Sequence, residues 1–226
     1  MSDLLRVVSE CTRRAGLLPL YEKQLAAAGI PLMLNVTGQN RQQNEMWSME
    51  ASLSLWRRVA EKHGDCKYLV LTDAWDVLFY GTCDEVVSKI PDKGILLAAE
   101  RNCFPDAYLA NEFPGETPWR YVNGGISAGR PEEYMRWCDA IERDPSYLSG
   151  MMNQQWLNHC RLRNSEITSK LDDKTELVYC MCLESGEMQP ANGRPVNALT
   201  GTTPNFIHFN GKTDPTMFLW KMQLSQ

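Results

Sequence analysis

The 226-residue sequence lacks any apolar run that approaches the roughly 18 residues needed to cross a bilayer. Its N-terminus also lacks the basic stretch followed by an apolar stretch that marks a secretory leader. Nor is there an excess of positive charge, since 23 Lys and Arg face 28 Asp and Glu, giving a net charge of −5. We therefore expect a cytoplasmic protein with no membrane partner, and not a polycation for nucleic acid.

The eight cysteines form no CxxC pair, and Cys180 and Cys182 are their one close pair. Scattered cysteines of this kind are typical of small buried thiols in a reducing compartment, not of a disulfide framework. Their spacing does not suit a zinc site. We therefore expect all eight to be free thiols.

Hydrophobic residues make up 43% of the sequence and charged residues 23%, as in a folded globular chain. Short apolar runs predict strands at 4–9, 31–36, 67–72, 94–99, 176–179 and 205–209. The stretches between them predict helices at 12–28, 46–60, from 131, and at 151–160. This alternation predicts one α/β domain with a mostly parallel, Rossmann-like sheet covered by helices on both faces.

Sheets of this kind bind ligands at the carboxyl ends of their strands. Asp73 and Asp76 directly follow the strand at 67–72. If the chain turns after Asp73, the two carboxylates converge into a hard-oxygen site suited to Mn²⁺ or Mg²⁺ with diphosphate oxygens. Alternatively, Asp76 caps a turn and Asp73 is a solvated strand end.

The run FIHFNGK, at 206–212, begins inside the late strand at 205–209. The neutral imidazole of His208 suits a metal ligand, although an isolated histidine at a strand end is more often structural. Gly211 allows backbone amides to approach a phosphate closely, and Lys212 supplies a positive charge to it. The pairing with the two aspartates favours the ligand role for His208.

A third candidate is the triplet of Asn123, Gly124 and Gly125, placed after an apolar strand. Two glycines at such a position let the backbone approach a ligand closely. A plain turn explains the pair equally well. The triplet therefore supports a ligand site only together with the other two motifs.

In order and wording, these motifs resemble the glycosyltransferase domain of the procollagen lysyl hydroxylases and the related procollagen galactosyltransferases. More distantly, they are similar to glycogenin-type transferases. The similar runs, from about residue 67 to 212, are YLVLTDAWDVLFYG, LLAAERNCFPD, YVNGGISAG, NQQW, KLDDKTELVY and FIHFNGK. The resemblance implies a GT-A fold in a single domain, 1–226, with a nucleotide-binding half at about 1–100 and a sugar and acceptor half at about 101–226.

The resemblance further implies a UDP-sugar donor and a divalent metal, usually Mn²⁺, with Mg²⁺ as the other candidate. The matching positions are the metal ligands Asp73, Asp76 and His208, the phosphate contacts Gly211 and Lys212, the sugar-pocket residues Asn123, Gly124 and Gly125, and the catalytic positions Asp76, Asn153 and Gln154. Ser9 and Glu10 follow the first predicted strand, where the uracil and ribose would lie. They are assigned by position alone.

One departure concerns the helix that faces the donor sugar, where the family has Asp-Asp-Gln and this sequence has Asn153, Gln154 and Gln155. A carboxylate there could accept hydroxyl hydrogen bonds or act as a base, whereas an amide cannot take a proton. Either another carboxylate serves, with Glu100 and Asp106 as the candidates, or the sugar is held differently, or activity is lost.

We predict a metal-dependent glycosyltransferase that moves a hexose, glucose or galactose, from a UDP-sugar to a hydroxyl acceptor. The acceptor is either a hydroxylysine-like residue in a peptide or a hydroxymethylated base in DNA. The main alternative is a degenerate transferase that binds the UDP-sugar without turnover. A hydrolase that uses Asp73 and Asp76 as an acid–base pair is a third reading.

Overall fold

The computed structural model describes residues 3–37, 48–144, 150–163, 169–182, 186–211 and 213–224. The elements are β1 (Leu5–Cys11), α1 (Leu18–Ala27), β2 (Leu32–Val36), α2 (Met49–Lys62), β3 (Tyr68–Thr72), β4 (Val77–Phe79), α3 (Cys83–Lys89), β5 (Ile95–Glu100), a 3₁₀ helix (Ala107–Glu112), β6 (Tyr121–Gly129), α4 (Pro131–Arg143), α5 (Asn153–Leu162), β7 (Ser169–Leu171), β8 (Val178–Cys180), β9 (Met188–Ala191), β10 (Arg194–Asn197), β11 (Phe206–His208) and α6 (Thr216–Leu224). Within those ranges, no helix has the length and apolar character needed to span a membrane.

A six-stranded sheet in the order β2-β1-β3-β6-β5-β7 forms the centre of the molecule. β1 pairs in parallel with both β2 and β3, and β5 pairs in parallel with β7. β6 runs antiparallel to its neighbours β3 and β5. The predicted α/β class and mostly parallel sheet are confirmed, and the reversed β6 begins at the edge where β3 and β5 end.

Two apolar cores cover the opposite faces of this sheet. Val70 packs in the core with α1 and α3, whereas its strand neighbours Leu69 and Leu71 pack in the core with α2, α4 and α5. Successive residues of a strand point to opposite faces, so the central strand β3 is covered on both sides. In the second core the rings of Trp56 and Trp137 lie 4.5 Å apart between centroids.

Helix α2 follows the predicted amphipathic pattern. Its side chains Met49, Leu53, Trp56 and Ala60 are all buried in the core. The Ser48 side chain accepts a hydrogen bond from a backbone N–H of the first turn, which fixes where the helix begins. Residue 46, the predicted start of this helix, lies outside the described residues.

A second sheet of three short strands, in the order β4-β11-β8, lies beside the first. β11 pairs antiparallel with β4 and parallel with β8, so that His208 lies opposite Val77 and Cys180. The prediction that His208 would end a strand is confirmed. However, it reaches the site on this separate sheet and not on the main one, because β11 pairs with the chain segment that follows Asp76.

Candidate metal centre and its surroundings

Asp73 and Asp76 bracket the turn between the main sheet and the small one. β3 ends at Thr72 and β4 begins after Asp76, so the chain changes direction between the two carboxylates. The backbone N–H of Asp73 donates to Gly125 O at 2.9 Å, and Asp76 O accepts from the N–H of Phe209 at 2.8 Å. These two bonds tie the turn to β6 on one side and to the end of β11 on the other.

The imidazole of His208 meets both carboxylates at this turn. Its Nε2 lies 3.3 Å from Asp73 Oδ2 and 3.5 Å from Asp76 Oδ2. One ligand atom from each of the three residues lies within 4.8 Å of the other two. His208 is 2% exposed, and both aspartates are partly exposed. The predicted convergence of these three side chains is therefore present in the structure.

The donor set fits a divalent cation. Ligand atoms that bind one ion at about 2.0–2.3 Å lie roughly 3 Å from one another. The distances of 3.3 and 3.5 Å from His208 Nε2 to the two carboxylates are close to this spacing. Burial by itself lowers the pKa of His208, but its hydrogen bonds with Asp73 and Asp76 raise it well above the usual value. The pair of carboxylates therefore attracts positive charge at this point, as a metal site must.

Gly125 leaves the space that two side chains of this cluster, Asp73 and His208, occupy. A Cβ atom at this position would lie 2.5 Å from Asp73 Oδ2 and would also collide with the ring of His208. Real Cβ atoms do not approach other atoms so closely, so only glycine fits beside this cluster. Gly124 is similarly constrained, because a Cβ there would lie 2.7 Å from Asn153 Oδ1.

The triplet of Asn123, Gly124 and Gly125 lies inside β6, not after a strand, so the predicted placement was wrong. The strand continues to Gly129 because it pairs antiparallel with β3 and β5 over this length. The triplet nevertheless lies at the site, since the reversed β6 begins at the edge where its neighbours end. A plain turn is excluded for these residues, and their predicted contact with the sugar remains a prediction.

A buried carboxylate lies behind the cluster of Asp73, Asp76 and His208. Glu100, at the end of β5, is 3% exposed. Asn123 Nδ2 donates to its Oε2 at 3.3 Å, and the amides of Gln154 and Asn210 donate to its two oxygens. Burial raises the pKa of Glu100, while these amide hydrogen bonds act in the opposite direction. From the sequence, Glu100 was predicted only as an alternative to the carboxylate missing at Asn153 and Gln154. In the structure it accepts hydrogen bonds from three amides.

Gln154 and Asn153, at the start of α5, are both turned into the protein. Gln154 Oε1 accepts from the N–H of Gly124 at 3.1 Å, and its Nε2 donates to Glu100. Asn153 Nδ2 donates to Ser52 Oγ at 2.9 Å, and its Oδ1 accepts from the N–H of Gln154. Both side chains are 9% exposed. Their predicted catalytic role remains a prediction.

Asp106, the other alternative carboxylate, has partners of its own on α5. Its Oδ2 lies 2.6 Å from His159 Nε2 and accepts from Gln155 Nε2 at 3.0 Å. Asp106 precedes the 3₁₀ helix, on the segment that connects β5 to β6. These contacts attach that segment to α5.

Ser9 and Glu10 lie within β1, which continues to Cys11, so their predicted position after the strand was wrong. Pairing with β2 extends the strand through Cys11. Ser9 is 1% exposed, and its hydroxyl lies 2.7 Å from Thr72 Oγ1. Glu10 Oε2 accepts from Arg58 at 2.6 Å. Their predicted contact with the uracil and ribose remains a prediction.

Gly211 follows β11 with a φ of +68°, in the left-handed region that favours glycine. A Cβ there would approach Cys182 Sγ to 3.2 Å. Its predicted role at a phosphate remains a prediction. Lys212, the other predicted phosphate contact, lies outside the described residues.

Comparisons with known proteins agree on one family. The family described as "PLOD GT domain" matches residues 40–220. The chain is 28% identical over 158 residues to a procollagen-lysine,2-oxoglutarate 5-dioxygenase from Drosophila melanogaster, covering 63% of this chain and 21% of the relative. It is 29% identical over 166 residues to a multifunctional procollagen lysine hydroxylase and glycosyltransferase from Caenorhabditis elegans, covering 67% and 22%.

A viral relative is also similar. The uncharacterized protein R699 of Acanthamoeba polyphaga mimivirus is 27% identical over 154 residues, covering 65% of this chain and 32% of the relative. The chain thus corresponds to 21%, 22% and 32% of the lengths of these three relatives.

A solved structure extends the comparison to the whole fold. A glycosyltransferase involved in the glycosylation of the major capsid of PBCV-1 superposes with a TM-score of 0.56 at 11% identity. The match covers 98% of this chain and 99% of that one. It supports the predicted GT-A fold, and the sequence matches identify the family. The chain therefore belongs to the PLOD GT domain family and forms a GT-A-type glycosyltransferase domain.

Proposed function

We propose that this chain transfers a hexose from a UDP-sugar to a hydroxyl acceptor with the help of a divalent cation. The observation that carries the proposal is the convergence of Asp73, Asp76 and His208, whose ligand atoms lie within 4.8 Å of one another. In a glycosyltransferase domain, a mixed oxygen and nitrogen site at the carboxyl end of β3 suits a metal that binds a nucleotide diphosphate.

The three side chains supply different ligand atoms to the metal. Asp73 and Asp76 supply negative charge and hard oxygen ligands, while the buried ring of His208 supplies a nitrogen. When bound, Mn²⁺ or Mg²⁺ would offset the negative charge that develops on the departing UDP. Gly211 lets the backbone come close to the diphosphate, and Lys212 adds a point charge.

The donor sugar is proposed to lie beside the stretch of β6 that holds Gly124 and Gly125, next to the Asp73 and His208 side chains that pack against Gly125. Asn123 lies on the same stretch and belongs to the hydrogen-bonded cluster around Glu100. Glucose and galactose are the hexoses proposed for this pocket. The uracil and ribose are proposed to lie near Ser9 and Glu10.

The acceptor is proposed to be a hydroxylysine-like residue in a peptide, because two relatives act on procollagen lysine according to their names. The segment between β5 and β6 offers an apolar surface for such a peptide, with Phe104 50% exposed and Tyr108 76% exposed. Phe104 O lies 3.5 Å from Gln154 Nε2, which places this surface beside the amide cluster. The net charge of −5 argues against DNA, so a hydroxymethylated base serves as the competing acceptor in the test.

The experiment measures UDP release from UDP-glucose and UDP-galactose with Mn²⁺ or with a chelator. Mass spectrometry then tests for addition of one hexose to a hydroxylysine peptide or to hydroxymethylated DNA. Asp76→Ala should abolish Mn²⁺-dependent release because the site loses one of its two carboxylates. Asp84→Ala is the matched control, since this exposed carboxylate lies on α3, and it should leave the rate unchanged.

Three results separate the alternatives. Binding of UDP-sugar without release would favour the degenerate transferase that retains only the nucleotide site. Cleavage of simple glycosides in the absence of any nucleotide would favour the hydrolase. Metal-independent UDP release that survives Asp76→Ala would overturn the proposed role of the metal site.

A further inference from the structure

The side-chain amide of Asn123 has only one orientation that satisfies both of its neighbours. The backbone N–H of Gly125 lies 3.0 Å from one end of the amide, and a backbone N–H only donates, so this end is the oxygen Oδ1. The other end, Nδ2, then faces Glu100 Oε2 at 3.3 Å, where a carboxylate accepts. Two independent partners therefore fix the same orientation.

This orientation determines which nitrogen of His208 carries a proton. Asn123 Oδ1 lies 3.1 Å from His208 Nδ1, so Nδ1 is the donor. The thiol of Cys180 is farther from Nδ1, at 3.8 Å. A neutral ring protonated at Nδ1 presents its lone pair at Nε2, the atom that faces Asp73 and Asp76. That is the tautomer which a metal ligand requires.

Glu100 holds the amide of Asn123 from behind. The carboxylate is 3% exposed, and the other two groups that contact it, the amides of Gln154 and Asn210, also donate N–H bonds. An acceptor-only group is therefore needed at this position. A glutamine of the same shape would direct its own N–H₂ against at least one of these donors.

We propose that Glu100 is a positioning residue for the metal-binding histidine and acts through Asn123. The carboxylate orients the amide, and the amide holds His208 with Nε2 directed at the cation. The inference rests on the metal site of the proposed function. Hydrogen-bond partners behind a metal ligand change metal affinity by roughly 10–100-fold, which sets the effect to be measured.

The first test is the affinity for Mn²⁺ alone, measured from the electron paramagnetic resonance signal of the free ion. Glu100→Gln and Asn123→Ala should each weaken binding by at least about 10-fold. Asp172→Asn is the matched control. Asp172 is also a buried carboxylate that accepts three N–H bonds, but its donors are backbone groups of residues 176–178. It should bind Mn²⁺ as the wild type does.

The second test is rescue by reversing the polarity of the pair. Asn123→Asp alone places a carboxylate against Glu100 and should weaken Mn²⁺ binding. The double variant, Asn123→Asp with Glu100→Gln, restores a donor and an acceptor at this contact, and the new carboxylate still accepts from His208 Nδ1. It should recover most of the affinity lost in Asn123→Asp. Additive losses in the double variant would contradict the proposed link.

The third test does not depend on the metal. The chain has three histidines, so the ¹⁵N spectrum of histidine-labelled protein is simple enough to assign His208. In metal-free protein, the Nδ1–H proton of wild-type His208 should exchange slowly with water, because Asn123 Oδ1 accepts a hydrogen bond from it. In Asn123→Ala this proton should exchange faster. If Glu100→Gln does not fold, Asn123→Ala carries both the affinity and the proton-exchange measurements.

The outcomes separate this inference from the proposed function. Failure of the wild type to bind Mn²⁺ would overturn the metal site, while the proton exchange of Nδ1–H would still test the link from Asn123 to His208. Wild-type affinity in both Glu100→Gln and Asn123→Ala would overturn the positioning role of Glu100. Equally fast exchange of Nδ1–H in the wild type and in Asn123→Ala would overturn it as well.

Discussion

Gln154 and Glu100 form a buried amide–carboxylate pair, in which Gln154 Nε2 donates to Glu100 Oε1. The other end of the same amide accepts from the backbone N–H of Gly124 at 3.1 Å. Both ends of the Gln154 side chain are therefore engaged inside the protein. This pair explains how the chain accommodates an amide at the position where the family resemblance of the sequence implies a carboxylate.

The pair predicts the effect of a charge at position 154. Gln154→Glu would place a second carboxylate against Glu100 and should destabilise the fold by roughly 3 kcal/mol, because a buried charge would lose its partner. Two facing carboxylates raise each other's pKa, so the loss should be smaller in mildly acidic buffer, where one is protonated, and larger as the pH rises. Thermal melts of Gln154→Glu and the wild type, in mildly acidic and in neutral buffer, measure this difference.

Transfer assays on variants of Gln154 test its predicted catalytic role. Gln154→Glu should lower the rate of transfer, and Gln154→Ala should lower it by about ten-fold, because it removes the hydrogen bonds to Gly124 and Glu100. A higher rate in Gln154→Glu would show that the reaction uses a carboxylate at this position. An unchanged rate in Gln154→Ala would show that the amide contributes nothing to transfer.

Gly125→Ala should abolish Mn²⁺ binding. The added methyl group would lie 2.5 Å from Asp73 Oδ2 and against the ring of His208, so the ligands would have to separate. Isothermal titration with Mn²⁺ measures the loss. Gly186→Ala is the control, because a Cβ there meets nothing within 4 Å, and it should bind normally. Retained binding in Gly125→Ala would show that the ion does not need this arrangement.

Asp172→Ala should lower the free energy of unfolding by roughly 3 kcal/mol, since charged hydrogen bonds to three backbone N–H groups are lost in a buried site. The carboxylate is 5% exposed and accepts at 2.7–2.9 Å from residues 176–178, which lead into β8. The neighbouring Asp173→Ala should change the stability much less. Denaturant unfolding measures both variants, and equal losses would contradict the role given to Asp172.

Thiol titration tests the prediction of a reducing compartment. All eight cysteines are free in the structure, so denatured protein should report eight thiols. In native protein Cys182 should react first, because the other seven are buried. Four thiols in the denatured protein would indicate two disulfides and contradict both the structure and the predicted compartment.

The convergence of Asp73, Asp76 and His208 could be predicted because these residues follow or end apolar strands. Asp73 and Asp76 come directly after β3, and His208 ends β11, so the general rule about strand ends brought them together. The rule predicted that these three side chains lie close together, even though His208 lies on a different sheet. Helix α2 was predictable for a related reason, since its apolar spacing matches one helix face.

Other parts depend on pairing that a single sequence does not reveal. The direction of β6 is set by its contacts with β3 and β5, and β4 has only three residues. Glu100 accepts hydrogen bonds from residues 23, 54 and 110 positions away, so no local sequence pattern predicts this cluster. Helix α3, which was not predicted, does have a sequence pattern that marks its start, the capping box formed by Thr82 and Glu85.

Because β6 runs in the reverse direction, the segment that precedes it can change without changing the strands beside the site. Because β5 ends and β6 begins at the same edge, the connection at 101–120 starts and finishes beside the site without crossing the sheet. Its outer residues, such as Phe104 and Tyr108, therefore lie on a segment that can be replaced or lengthened while Glu100 and Asn123 stay fixed in their strands. Under the proposed function, such a replacement would change the contacts with the acceptor and leave the donor side of the site in place.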